Sequence, residues 1–165
     1  MESIVPREAE AARLRRRQVN GIKETVREMS TRLAFLNRLV GSRLELRDVD
    51  LNCLDLISRH GPLSPSALAR LAGLHPATTT GVLDRLQRGG WVTRERDAGA
   101  ADRRAVSVHA LRDRGGEVFL LYAGMNSSLD EICEGYTDEE LAVIADFLRR
   151  TAGAGRDAAA ELAGD

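Results

Sequence analysis

Ser64-Pro65-Ser66-Ala67-Leu68-Ala69-Arg70-Leu71-Ala72-Gly73-Leu74-His75-Pro76-Ala77-Thr78-Thr79-Thr80-Gly81-Val82-Leu83-Asp84-Arg85-Leu86 is the stretch whose reading decides the fold. It spells two short helices with a glycine between them. Ser64 can cap the first, with Pro65 at the first helical position, where its missing N–H costs nothing. Leu68 and Leu71 then share one face. Gly73 supplies the left-handed residue that ends a helix and turns the chain sharply. In the second helix Val82, Leu83 and Leu86 make the buried stripe. Pro76, Ala77, Thr78, Thr79, Gly81 and Arg85 are thereby assigned to the N-terminal and solvent side. Gly89-Gly90 stops the helix. Beyond it, Trp91-Val92-Thr93-Arg94-Glu95-Arg96 and Ala105-Val106-Ser107-Val108 alternate like two strands around a polar loop over residues 97–104. Helix, turn, helix, ribbon is the order of a winged helix-turn-helix, whose second helix enters a DNA groove. Small and hydroxyl-bearing residues near that helix's N-terminus suit a major groove, where side chains must fit and bond to base edges. Taken alone, the second helix also reads as a Thr-rich amphipathic helix of some other all-α domain.

The chain has 165 residues, enough for one domain with helical extensions. Aromatics make up only 4 %, so the core must come from Leu, Val, Ala and Ile. No apolar run approaches a membrane span and no signal peptide is visible, so a cytoplasmic protein with no membrane partner is expected. The two cysteines, Cys53 and Cys133, form neither a disulfide framework nor a zinc spacing. Net charge is only −1, which by itself argues against a polyanionic partner. Its distribution argues the other way. Arg59, Arg70, Arg85, Arg88, Arg94, Arg96, Arg103 and Arg104 face few acids in the central stretch, while Asp130, Glu131, Glu134, Asp138, Glu139, Glu140 and Asp146 gather later. A basic module with an acidic surface elsewhere is what a groove-binding protein shows.

Working outward, residues 8–40 carry Val19, Ile22, Val26, Met29, Leu33, Leu36 and Val40 at spacings of three and four, a stripe close to a heptad seam. Gly41 is expected to end or kink that helix. A second helix over residues 49–59, capped by Asp48 or Asp50, stops at His60-Gly61-Pro62, and Leu63 forms a short strand beside the ribbon. A helix over residues 112–134 follows the ribbon, with Val118, Leu121, Tyr122, Met125, Leu129, Ile132 and Cys133 inward. Thr137-Asp138-Glu139-Glu140 is a capping box opening the last helix, in which Gly153 and Gly155 are expected to make a break. The expected class is mainly α with a small antiparallel β-ribbon. Residues 1–47 form an N-terminal dimerisation helix, 48–111 a winged helix-turn-helix and 112–165 C-terminal dimerisation helices. The stripe wants a partner, and a homodimer would set two reading helices one DNA turn apart, matching an inverted-repeat, pseudo-palindromic operator in double-stranded DNA.

Residues 33–148 resemble the MarR family of bacterial transcription regulators. The most specific match runs through Gly61-Pro62-Leu63-Ser64, Leu68-Ala69, Leu74, Thr78 to Val82, Leu86, Gly89-Gly90-Trp91-Val92 and Asp102-Arg103-Arg104-Ala105-Val106. The resemblance implies a wing arginine in the minor groove, Arg104, held by Asp102, with Arg103 a contact at the tip. A narrow minor groove is strongly negative, so arginine inserts there. It also implies an effector pocket between the reading module and the dimer helices, with aromatic anions as frequent ligands; Arg43, Asn52 and Tyr122 are candidates to line it. Two departures stand out. Where relatives place Leu-Thr after the second ribbon strand, this chain has His109-Ala110-Leu111-Arg112-Asp113-Arg114-Gly115-Gly116, which leaves Asp113 as the candidate cap of the next helix. Some relatives sense peroxide through a cysteine in the first helix, and this first helix has none.

His60, His75 and His109 stand apart from one another, so no metal site is expected and no cofactor is implied. No nucleophile, base and orienting group fall together, and Gly89-Gly90 precedes a strand and not a helix, so neither an enzyme nor a phosphate loop is expected. The expected function is a ligand-responsive repressor that binds DNA as a homodimer. Ser64 and Ser66 would bond phosphate; Pro76, Ala77, Thr78, Thr79 and Arg85 would face the major groove, with His75 contacting DNA or simply capping the helix; Arg103 and Arg104 would enter the minor groove, with Asp102 holding Arg104. The alternatives are a redox-responsive regulator acting through Cys53 or Cys133, and a winged-helix interaction module that does not bind DNA.

Overall fold

Capping chemistry fixes most of the helix ends in the computed structural model, which describes residues 5–96 and 106–163. Among the described residues, six helices run in the order α1 (Val5–Leu44), α2 (Asp48–His60), α3 (Pro65–Ala72), α4 (Pro76–Arg88), then β1 (Val92–Arg96) and β2 (Val106–Ala110), then α5 (Arg112–Cys133) and α6 (Asp138–Ala163). The class is mainly α with one two-stranded antiparallel ribbon, a winged helix-turn-helix carried between long helices.

Several local expectations hold. Ser64 Oγ accepts the Ala67 N–H at 3.1 Å, and Pro65 opens α3. Gly73 closes α3 at φ 63°, a conformation glycine adopts without a Cβ penalty. The ribbon pairs Val92 with Ala110 and Arg96 with Val106. Leu63 joins it through two backbone bonds to Val108, of 3.1 and 2.8 Å. The Thr137–Glu140 box is closed in both directions, with Thr137 N–H on Glu140 Oε2 at 2.9 Å and Glu140 N–H on Thr137 Oγ1 at 3.3 Å.

Other expectations are corrected. Gly41 does not end α1, which continues to Leu44. Its role is close approach: the chain folds back so that Leu46 N–H bonds Gly41 O at 2.8 Å, and a Cβ on Gly41 would stand 2.9 Å from the Leu46 carbonyl. Neither Asp48 nor Asp50 caps α2, since Arg47 occupies the cap position with no side-chain bond. Asp113 does not cap α5 either; Leu111 holds that position and Asp113 lies in the first turn. Gly153 and Gly155 do not break α6. Each glycine costs a helix interior only about 1 kcal/mol, which one continuous helix absorbs.

The core sits in the middle of the chain. Cys53, Leu54 and Ile57 of α2, Leu68 of α3, Val82, Leu83 and Leu86 of α4, Trp91 and Val92 at β1, and Val108 of β2 pack into one buried cluster. α5 has no buried residue. Met125, Leu129 and Ile132, expected inward, are exposed in the isolated chain.

Candidate nucleic-acid interface

The N-terminal end of α4 is built to be both fixed and open. His75 caps it with Nδ1, which accepts the Ala77 N–H at 3.3 Å, and Pro76 stands at the first helical position. Pro76, Ala77, Thr78 and Thr80 are exposed. Exposed N–H groups and the positive end of the helix dipole make this the end that attracts phosphate. Ser64 and Ser66 are exposed at the start of α3 with their hydroxyls 3.0 Å apart.

Two residues assigned to the solvent face turn away from it. Thr79 is 1 % exposed, and its hydroxyl donates to His75 O at 3.2 Å, so the polar group is satisfied inside the fold. Thr79 lies three, four and seven residues before Val82, Leu83 and Leu86. At 100° per residue it falls on their stripe, so the signal was present in the spacing. Arg85 faces α2. Its Nε donates to Asp50 Oδ2 at 2.9 Å and its second fork nitrogen to Oδ1 at 2.6 Å. The Asp50 side chain is 3 % exposed, against 30 % for Arg85. The hydrogen bond to Asp50 is the chief cause that raises the Arg85 pKa above its ordinary value. This pair is a brace between α2 and α4. The neighbouring residue, Asp84, braces the helix to the ribbon by accepting from Arg94 at 2.7 Å. Exposed residues the sequence reading left out are Thr80, Arg88 at the end of α4 and Arg96 at the end of β1. Asp102, Arg103 and Arg104 lie outside the described residues.

A third tie holds the far end of α4. Arg114 of α5 stacks over the Trp91 ring at 3.7 Å from its centroid. It donates to the Gly89 carbonyl at 2.5 Å and is itself held by Glu117 at 3.0 Å. A cation on the last carbonyls complements the negative end of the helix dipole.

A cavity of about 590 Å³ opens between α1, α2, the base of the ribbon and α5. Asn52 and Tyr122 line it; Arg43 does not, being exposed at the end of α1. Tyr122 donates its hydroxyl to Asn37 Oδ1 at 2.7 Å, joining α5 to α1. Burial, and secondarily the Asp55 carboxylate, push the Tyr122 phenol upward. Cys53 is fully buried. Burial first, then the Asp50 carboxylate, push its thiol up to about 11, with Arg85 opposing. A thiol so protonated is a packing residue and a poor sensor. Among the described residues, no three His, Cys, Asp or Glu side chains gather to hold a metal ion. No described helix is long and apolar enough to cross a membrane.

Residues 46–106 match the model of the MarR family. The uncharacterized HTH-type transcriptional regulator YcgE of Bacillus subtilis is 30 % identical over 126 residues, 76 % of this chain and 80 % of that protein. The HTH-type transcriptional repressor YetL of the same organism is 33 % identical over 86 residues, 52 % of this chain and 50 % of that one. Among solved structures, Streptococcus pneumoniae FabT in complex with DNA superposes with a TM-score of 0.64 at 22 % identity, over 84 % of this chain and 98 % of that one. At that identity the likeness is one of fold.

Proposed function

The chain belongs to the MarR family of DNA-binding transcriptional regulators, and from that premise we propose that it is a cytoplasmic, ligand-released repressor acting as a homodimer on an inverted-repeat operator. The observation that carries this is the exposed N-terminal face of α4, held by braces at Asp50–Arg85 and Asp84–Arg94. A helix meant to read a groove needs an open polar face and a fixed angle. Pro76, Ala77, Thr78 and Thr80 meet the bases, with His75 and Arg88 at the helix ends. Ser64 and Ser66 bond phosphate at the start of α3. Asp102, Arg103 and Arg104 keep the minor-groove role that the family resemblance gives them. Thr79 and Arg85 act through the fold and not on DNA.

The homodimer is supported by what α1 leaves uncovered. Val19, Ile22 and Met29 of its apolar stripe are exposed, as are Phe147 and Leu148 of α6. Residues 1–47 and 112–165 serve as the dimerising parts and residues 48–111 as the reading domain. Repression is exclusion of polymerase. Release follows when a ligand changes the separation of the two reading heads, because one separation matches the half-site spacing.

The test is a mobility shift against the DNA upstream of the chain's own gene and its divergent neighbour, across salt. Binding falls with the power of about 0.9 per phosphate neutralised. Thr80→Ala shifts base preference at one step of each half-site by about 1–3 kcal/mol if it makes a base contact, and Arg104→Ala weakens all sites, most with an A·T-rich flank. A flat salt response on the best site rejects the proposal.

A further inference from the structure

We propose that the cavity between the reading domain and the terminal helices takes an uncharged aromatic ligand bearing amide, carbonyl or hydroxyl groups, and selects against aromatic carboxylates. This rests on the ligand-responsive reading above and adds to it the charge class of the ligand. The resemblance to the family points to anions; the side chains of this cavity point elsewhere.

The lining is apolar and aromatic on its walls, with Leu33 of α1, Leu51 and Leu54 of α2, Trp91, and Val118 and Phe119 of α5. A volume of about 590 Å³ takes a drug-sized aromatic body, and a naphthalene-sized probe enters it with room to spare. Charge enters the described lining at two residues, Asp55 and Arg59, one turn apart on α2. Arg59 is the only cation among the described lining residues, and its fork is closed onto the carboxylate. Its Nε donates to Asp55 Oδ1 at 2.9 Å, and a terminal nitrogen lies 2.6 Å from Oδ2. Arg114, which stacks over the lining residue Trp91, is likewise tied to Glu117 and to the Gly89 carbonyl. The Asp55 and Arg59 side chains are both half or more exposed, so the pair is held by its two-point geometry and not by burial. An entering carboxylate must still compete with Asp55 for the one guanidinium, and a neutral group need not. The carboxylate also meets the field of Asp55, which together with the larger effect of burial disfavours ionisation of Tyr122.

Neutral polar groups, by contrast, are ready. Tyr122 occupies the amide oxygen of Asn37, which leaves the Asn37 NH2 as a donor. Asn52 and Asn126 complete a set of three amides in the lining. Amides both donate and accept, so they recognise a neutral carbonyl, amide or hydroxyl without requiring charge.

Calorimetric titration of the full-length protein with 2-naphthamide and with 2-naphthoate, two planar molecules of one shape, tests this. The wild type is expected to bind 2-naphthamide at least tenfold more tightly. Asp55→Asn releases the Arg59 fork and brings 2-naphthoate to parity or better. Arg59→Gln, which leaves Asp55 without its cation, widens the preference for 2-naphthamide over 2-naphthoate. Equal affinities in the wild type, an unmoved ratio in D55N, or no binding of either probe overturns the proposal. A parallel mobility shift at saturating 2-naphthamide separates the two readings. Bound amide with unchanged DNA affinity rejects ligand release while upholding the charge preference.

Discussion

The reading head and the long helices that carry it are built on opposite terms. Within the head, from α2 to β2, every element contributes a buried side chain, and the cluster closes on itself through Ile57, Leu68, Leu86 and Val108. Outside it, Val40 and Gly41 near the end of α1 are the buried residues among those described; α5 and α6 bury none. The difference teaches that the head holds its shape by its own packing. The terminal helices keep their shape by backbone bonding and caps, and still present Val19, Ile22, Phe119, Leu120, Phe147 and Leu148 to water. These are the side chains that the proposed dimer would cover.

If this contrast is right, the largest effect of a single substitution belongs to the brace inside the head. Arg85→Ala leaves the Asp50 carboxylate buried without its partner, and denaturant unfolding should show a loss of about 3–5 kcal/mol. Asp50→Ala should cost less, because Arg85 is ten times more exposed and can turn to water. Equal losses, or a loss that changes with protein concentration, would break the contrast.

A smaller effect concerns pH. Cys53 has a folded pKa of about 11 against an ordinary 9.0. Above pH 9 the unfolded chain gives up this proton while the native one keeps it, so stability is intact below 9 and declines as pH rises toward 11. The slope stays below the limit of about 1.4 kcal/mol per unit, because each state is partly titrated at one edge of the window, and the loss between pH 9 and 11 is roughly 2 kcal/mol. Cys53→Ala should flatten the decline in a series of urea titrations. Native Cys53 should also stay silent to thiol reagents at pH 8.

Smaller again is the effect of glycine in α6. A Cβ on Gly155 meets nothing within 4 Å, and one on Gly153 meets only the end of the Arg156 side chain at 3.8 Å. Gly153→Ala and Gly155→Ala should each stabilise the helix by about 0.5–1 kcal/mol, read as raised helicity on heating. The smallest expected change in the head comes from the arms. Val19→Gln with Ile22→Gln should move the unfolding of the head by less than about 0.5 kcal/mol, while sedimentation equilibrium shows weakened association. A large loss of head stability would mean that the two regions are not separable.

Local chemistry was legible in the sequence because its partners are close in the chain. Ser64 with Ala67, Gly73 at its turn, and Thr137 with Glu140 each complete a motif within four residues. The long-range pairs were not. Asp50 reads as a cap residue because aspartate so often is one, and nothing at position 85 announces a carboxylate 35 residues earlier. Thr79 is a different case. Its chemistry suggested the surface, whereas its spacing to Val82 and Leu86 placed it inside, and spacing prevailed because the hydroxyl could bond back to His75 O. Asn52 and Tyr122 stand in the cavity lining, on helices to which the family resemblance pointed. Arg43 was misplaced because α1 runs on to Leu44 and carries it away from the lining.

The division of labour within α4 has a consequence for how such a chain can change over generations. Its inward residues Thr79, Val82, Leu83 and Leu86 are all committed to the core, while Ala77, Thr78 and Thr80 stand in solvent. Surface replacements of that kind usually shift stability by no more than about 0.5 kcal/mol. On the proposed reading of these three positions as base contacts, descendants, or a laboratory library randomised there, can explore new target sequences while the fold stays the same. Adaptation to a new operator is then limited by finding matching bases, not by survival of the domain.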